Sequence, residues 1–107
     1  MFVTMNRIPV APEYVQRFEE TFRQRARLVD RRPGFVRNLV LRPANPAEEP
    51  YVVMTFWESE AHFQDWVNSP GFKEGHAKSS TLPREAFRGP NRLETFEAIT
   101  DSAQTEH

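Results

Sequence analysis

The chain has 107 residues, a formal net charge of −1 and no cysteine. That length makes one domain with a real core, still small enough that self-association would help it bury apolar surface. The near-neutral charge excludes a general nucleic-acid binder, which needs a basic patch against phosphates. The missing cysteines exclude disulfides, thiolate nucleophiles and zinc knuckles, and they suit a reducing cytoplasm.

No apolar run approaches the roughly 20 residues of a membrane span. Met1-Phe2-Val3-Thr4-Met5 has neither the basic start nor the long apolar stretch of a signal peptide. Positive charge is almost all arginine, with lysine only at Lys73 and Lys78.

Phe2 to Val10 reads as a first strand, closed by Pro9 and Pro12. Alternation puts Phe2, Thr4, Asn6 and Ile8 on one face and Val3, Met5 and Arg7 on the other. Asn6 is a poor strand former in mid-strand, which reads either as a hydrogen bond to a neighbouring loop or as a functional amide. Pro12 to about Arg31 reads as a long helix with Pro12 in its first turn and Glu13, Glu19 and Glu20 toward the positive end of its dipole. Arg23, Arg25, Arg27, Arg31 and Arg32 lie toward the other end. Val15, Phe18, Phe22, Ala26 and Val29 form its apolar stripe. Pro33-Gly34 stops it.

Phe35 to Arg42 is the second strand, with Phe35, Arg37, Leu39 and Leu41 expected on one face and Val36, Asn38, Val40 and Arg42 on the other. Pro43 to Pro50 is a hairpin loop. Tyr51 to Trp57 is a third strand, apolar on both faces, as in a sheet covered on both sides. Ser59-Glu60 opens a second helix with Phe63, Trp66 and Val67 on one face. Ser69-Pro70-Gly71 breaks it before a short piece carrying Phe72 and His76. His62 falls on the side away from Trp66 and is expected to be solvated. Ala77 to Pro90 is polar and punctuated, long for a connection, with one helical turn around Pro83-Phe87. Asn91 to Thr100 is the fourth strand. Residues 1–100 therefore form a single domain, and 101–107 is expected to be a disordered tail.

The order strand–helix–strand–strand–helix–strand is that of a ferredoxin-like α+β fold, β-α-β-β-α-β. Two helices cover one face of its sheet, yet the strands are apolar on both. A second copy of the sheet against the free face would give a homodimeric α+β barrel.

Certain residues go further. Asn6-Arg7-Ile8, Pro33-Gly34-Phe35, Trp57-Glu58-Ser59, Phe63 with Trp66, and Phe72 leading to His76 resemble the antibiotic-biosynthesis-monooxygenase dimeric α+β barrels. Within them the chain resembles the IsdG-like haem-degrading monooxygenases, over nearly its whole length from Phe2 to about Thr100. Pro-Gly-Phe and Trp-Glu-Ser belong to the wider superfamily; the Asn–Trp–His set, matched by Asn6, Trp66 and His76, is the narrower signal.

By residue statistics alone Trp66 reads as ordinary core and His76 as a surface histidine near a helix end. The resemblance implies more. It makes haem both cofactor and substrate and makes His76 the axial ligand of the haem iron. Trp66 then distorts the macrocycle, Asn6 donates a hydrogen bond to an iron-bound oxygen or water, and Phe63 and Phe72 line the haem. It also implies dioxygen, an external reductant or reductase, ring opening and iron release. Two other readings stay open: a cofactor-independent monooxygenase acting on a polyphenolic or quinone-type substrate, and a haem- or small-molecule-binding module without chemistry.

Overall fold

A computed structural model describes residues 1–24, 29–72 and 82–103. The sheet is built on β1 (Phe2–Ile8), which lies between β3 (Tyr51–Trp57) and β4 (Arg92–Glu97) and is antiparallel to both. The outer strand β2 (Phe35–Leu41) pairs with β3, giving the order β2-β3-β1-β4. The strands are rich in the β-branched and aromatic residues that fit a pleated surface. This is the expected ferredoxin-like arrangement, with the helical segments on one face. Among the described residues no helix is long and apolar enough to cross a membrane.

Among the described residues, the α-helical part of the expected long first helix is α1 (Val15–Gln24). A 3-10 turn at Pro12–Tyr14 leads into it and another at Val29–Arg31 follows. Such tighter turns are common at helix ends, where fewer backbone partners are available. Arg25, Ala26 and Arg27 lie outside the described residues.

The second helix, α2 (Glu60–Val67), starts at Ser59, whose hydroxyl accepts the His62 N–H at 3.4 Å. Ser69 is buried and performs the next start. Its hydroxyl accepts the Phe72 N–H at 3.3 Å, donates to the Trp66 carbonyl at 2.7 Å, and so opens the helical turn at Pro70–Phe72. Proline directly after the cap is favoured because its missing N–H would be unbonded there anyway.

Two expectations need correction. The pairing of β2 slips between Phe35 and Arg37, so Val36 is a bulge. One extra residue reverses the alternation before it. Phe35 therefore lies opposite Trp57 on the helix-covered face, together with Asn38 and Val40, while Arg37, Leu39 and Leu41 share the other face. His62, expected to be solvated, is half-buried against Gly34. Gly34 has φ +82°, and a Cβ there would stand 2.1 Å from His62 Cγ. The Gly34 carbonyl also accepts the Glu58 N–H at 2.8 Å, tying this turn to the start of α2.

The later part of the 77–90 connection is a strap. Ala11 N–H donates to the Ala86 carbonyl at 2.7 Å, Arg88 N–H to the Pro9 carbonyl at 2.8 Å, and Val10 bridges Phe87. Val10 and Ala86 are fully buried beneath it.

Candidate active site

The registers arrange the helix-covered face into rows running across the sheet. Phe35, Trp57 and Phe2 form an aromatic row; Asn38, Thr55, Thr4 and Thr95 form the next; Val40, Val53, Asn6 and Leu93 form a third. The second row is polar from edge to edge, which is unusual beneath a helical layer. It separates two apolar clusters. One gathers Ile8, Val10, Phe18 and Tyr51, with Phe22 and Val53 against them. The other gathers Phe2 and Trp57, with Phe35, Phe63 and Trp66 against them. The first cluster is roofed by α1 and the second by α2, and no extensive contact joins the two helices among the described residues. The polar row thus floors the gap between them.

On the α2 side of that gap, Phe63 and Trp66 pack against the Phe2–Trp57 cluster. Phe63 lies 5.6 Å from Phe2 and 6.2 Å from Trp57, ring centre to ring centre. Trp66 meets Phe72 edge-on at 5.6 Å and lies over Gly71, where a Cβ would come within 3.1 Å of the indole. The Ser69 cap that bends the chain back through Gly71 is what brings Phe72 onto Trp66. The Trp57 indole N–H is buried with no acceptor among the described residues, so it is packing that fixes the ring.

Asn6 is half-buried on the floor, between Val53 and Leu93. Leu93 is 57% exposed, so the face is open toward β4. At the β2 end, a concavity of about 290 Å³ lined by Phe22, Phe35, Asn38 and Val40 among others opens onto the polar row. Of the residues singled out in the sequence, Trp66, Phe63 and Phe72 come together, and Asn6 shares their side of the sheet. His76 lies outside the described residues. Thr4, Thr55 and Asn38 were not singled out. The signal for Thr4 was its alternation with Asn6; for Asn38 the bulge hid it.

A second concavity, about 470 Å³, lies between α1 and β2 around Glu19, Phe22, Leu41, Arg42 and Tyr51. Its charges are already committed to one another. Arg42 donates twice to Glu19, at 2.6 and 2.7 Å, and the Tyr51 hydroxyl donates to the same carboxylate at 2.5 Å. The Arg42 and Tyr51 hydrogen bonds pull Glu19 down to about 2, while burial and the Glu19 carboxylate push Tyr51 up to about 12. This is a clamp between helix and sheet, with no group left over for chemistry. Among the described residues, no group of three or more His, Cys, Asp or Glu could hold a metal ion.

Comparison with known proteins fits the architecture. The family description "Antibiotic biosynthesis monooxygenase" matches residues 1–78. The chain belongs to this family. A mycobilin-producing haem oxygenase of Mycobacterium tuberculosis is 37% identical over 103 residues, spanning 96% of this chain and 93% of that protein. A crystal structure of an MhuD variant with two manganese protoporphyrin IX bound per active site superimposes with a TM-score of 0.79. It is 34% identical and covers 94% of this chain and 97% of that one. A mutant of SnoaB, a cofactor-independent oxygenase of Streptomyces nogalater, superimposes with a TM-score of 0.71, at 24% identity and covering 96% and 97% of the two chains, a likeness of fold alone.

Proposed function

We propose that this protein binds haem in the gap between α1 and α2 and degrades it oxidatively, using dioxygen and an external electron donor. The observation that carries the reading is the 37% identity to a haem oxygenase along almost the whole of both chains. The residues present suit the substrate. A macrocycle needs flat apolar walls, a hydrogen-bond donor on its oxygen side and an axial nitrogen ligand. Phe63 and Trp66 provide a wall, Asn6 provides an amide on the floor, and His76 is the ligand we assign.

Haem supplies the iron at which dioxygen is activated and the ring that is opened. The chain's own contributions are three. Trp66 is braced from behind by Phe72 and Gly71, so its bulk pushes on a bound ring rather than yielding to it. Asn6 donates from its amide on the oxygen side. His76, as a neutral imidazole, would hold the iron.

We assign a cytoplasmic homodimer. The sheet face turned away from the helices carries Met5, Leu39, Val52, Met54, Phe56 and Phe96 around a buried Val3, with Phe96 45% exposed. An apolar face of that extent is more stable against a second copy of itself than against water. Arg7 on this face donates to Glu94 at 2.7 Å and holds that carboxyl below its usual range, and Arg37 lies over the Phe56 ring at 5.1 Å.

The test is a haem titration. A sharp absorption band should appear in the wild type and be lost at the same haem concentrations in His76→Ala, whose apo form melts almost unchanged. With reductant and dioxygen the band should then decay as the ring opens. No band in the wild type would favour the cofactor-independent oxygenase; a band that survives reductant and dioxygen would favour the binding module.

A further inference from the structure

The polar row has a direction. Asn38 Nδ2 lies 3.3 Å from the Met54 carbonyl oxygen and 2.8 Å from Thr55 Oγ1. A backbone carbonyl can only accept, so the Asn38 group facing it is the NH2 and not the oxygen. The same NH2 then donates to Thr55, whose oxygen accepts and whose own proton must turn away from Asn38. Away from Asn38, on this face, lie Thr4 directly across on β1 and Asn6 diagonally.

Thr4 is only 6% exposed, and among the described residues its hydroxyl makes no side-chain hydrogen bond. Among the described residues the buried side-chain atoms without a partner are Arg32 Nε and the Trp57 indole nitrogen, so the Thr4 hydroxyl keeps access to solvent, where a water can complete it. Thr4 and Asn6 are two residues apart on one strand, about 7 Å, and Thr55 is about 5 Å across from Thr4. A single bridging water in this patch would have three polar partners, Thr55, Thr4 and Asn6.

We propose that Asn38, Thr55 and Thr4 are positioning residues: through a shared water they donate toward the Asn6 side-chain oxygen and leave the Asn6 N–H facing the ligand. An asparagine amide is nearly symmetric in shape, so a pocket that needs its NH2 on one side must supply a donor on the other. The Asn38-to-Thr55 bond is the source of that donor. The proposal rests on the haem reading for what the amide addresses, and on this sheet alone for how the amide is oriented.

The two layers are tested separately. In the haem-loaded protein the C–O stretching band of the carbon monoxide complex reports the donor beside the ligand. Thr55→Val and Asn38→Leu should move the band toward its position in Asn6→Ala, with haem affinity within about threefold of wild type, while Thr55→Ser, which keeps the hydroxyl, leaves it in place. Ring opening should slow about tenfold in Thr55→Val, the worth of one ordinary hydrogen bond. In the apo protein Thr4→Val should shift the Asn6 side-chain amide resonances, because it removes one partner of the shared water. Thr55→Val should also shift the NMR resonances of the Asn6 side-chain amide. A band unmoved by Thr55→Val, or apo amide resonances unmoved by it, overturns the proposal. A wild type that takes up no haem overturns the functional reading instead, and the amide resonances still decide the orientation.

Discussion

The turn at Gly34 offers a test of how firmly the site is held. In Gly34→Ala two costs arise together. The backbone sits at φ +82°, where an L-residue loses roughly 1–2 kcal/mol relative to glycine. The new methyl would also stand 2.1 Å from His62 Cγ, so the imidazole must leave its place and give up its 2.8 Å bond to the Ser59 hydroxyl. One such bond is worth about 1 kcal/mol. The sum, about 2–3 kcal/mol, corresponds to a fall in melting temperature of roughly 8–15 °C for a domain of this size. A double-mutant cycle separates the terms. On a His62→Ala background the ring contacts disappear and the Ser59 bond is already gone, leaving the 2.6 Å approach to Cβ, so Gly34→Ala should cost measurably less than in the wild type. The assay is thermal and urea unfolding of the apo protein for all four variants. Gly34→Ala within about 0.5 kcal/mol of wild type, or an equal cost on both backgrounds, would refute the reasoning. Because the Gly34 carbonyl also holds the Glu58 N–H, the substitution should disturb the start of α2 and with it Phe63 and Trp66.

Other outcomes follow from residues already described. Glu19 falls from 4.5 to about 2 on folding, so the stability it gives is present above pH 4.5 and is lost as pH drops from there toward 2. Glu19→Gln should flatten acid unfolding in that window and cost about 1–2 kcal/mol at neutral pH, read by urea titration at several pH values. Tyr51 rises from 10.0 to about 12, so stability should fall as pH climbs through that interval in the wild type and not in Tyr51→Phe. Trp66→Phe should bind haem nearly as well as wild type but open the ring more slowly in single-turnover decay. Decay at the wild-type rate, with only a lower melting temperature, would return Trp66 to the core. Light scattering should give a dimer at micromolar concentration, and a stable monomer near 12.5 kDa would remove the barrel argument.

Strand alternation made much of this legible in advance. In β1 it put Thr4 and Asn6 on one face with Phe2 and Ile8, and Pro33-Gly34 marked the turn where a positive φ is needed. What escaped has a common cause: each feature is decided by a partner distant in the chain. Nothing local in Phe35-Val36-Arg37 announces a bulge; it is fixed by Trp57 and Phe56 on the neighbouring strand. Helical angle alone sent His62 to solvent, but the Gly34 turn comes up beneath it. Glu19 read as a dipole-matched surface acid, while its partner Arg42 stands 23 positions away on the far side of β2. Trp66 could be read as core or as site from its sequence; in the fold it packs on Phe72 and against the Phe2–Trp57 cluster.

The strip of amides and hydroxyls across the sheet also bears on how the protein can change. An apolar layer without a seam transmits every altered methyl group to its neighbours, because close-packed side chains shift together. Here the Ile8–Val10–Phe18–Tyr51 cluster and the Phe2–Trp57 cluster meet only across polar ground. Substitutions in the first should therefore add independently to substitutions in the second. Thermal robustness can then be raised or spent at the Val10 and Phe18 end while the walls around Trp66 keep their shape. Selection on durability and selection on chemistry would act on separate halves of one small sheet.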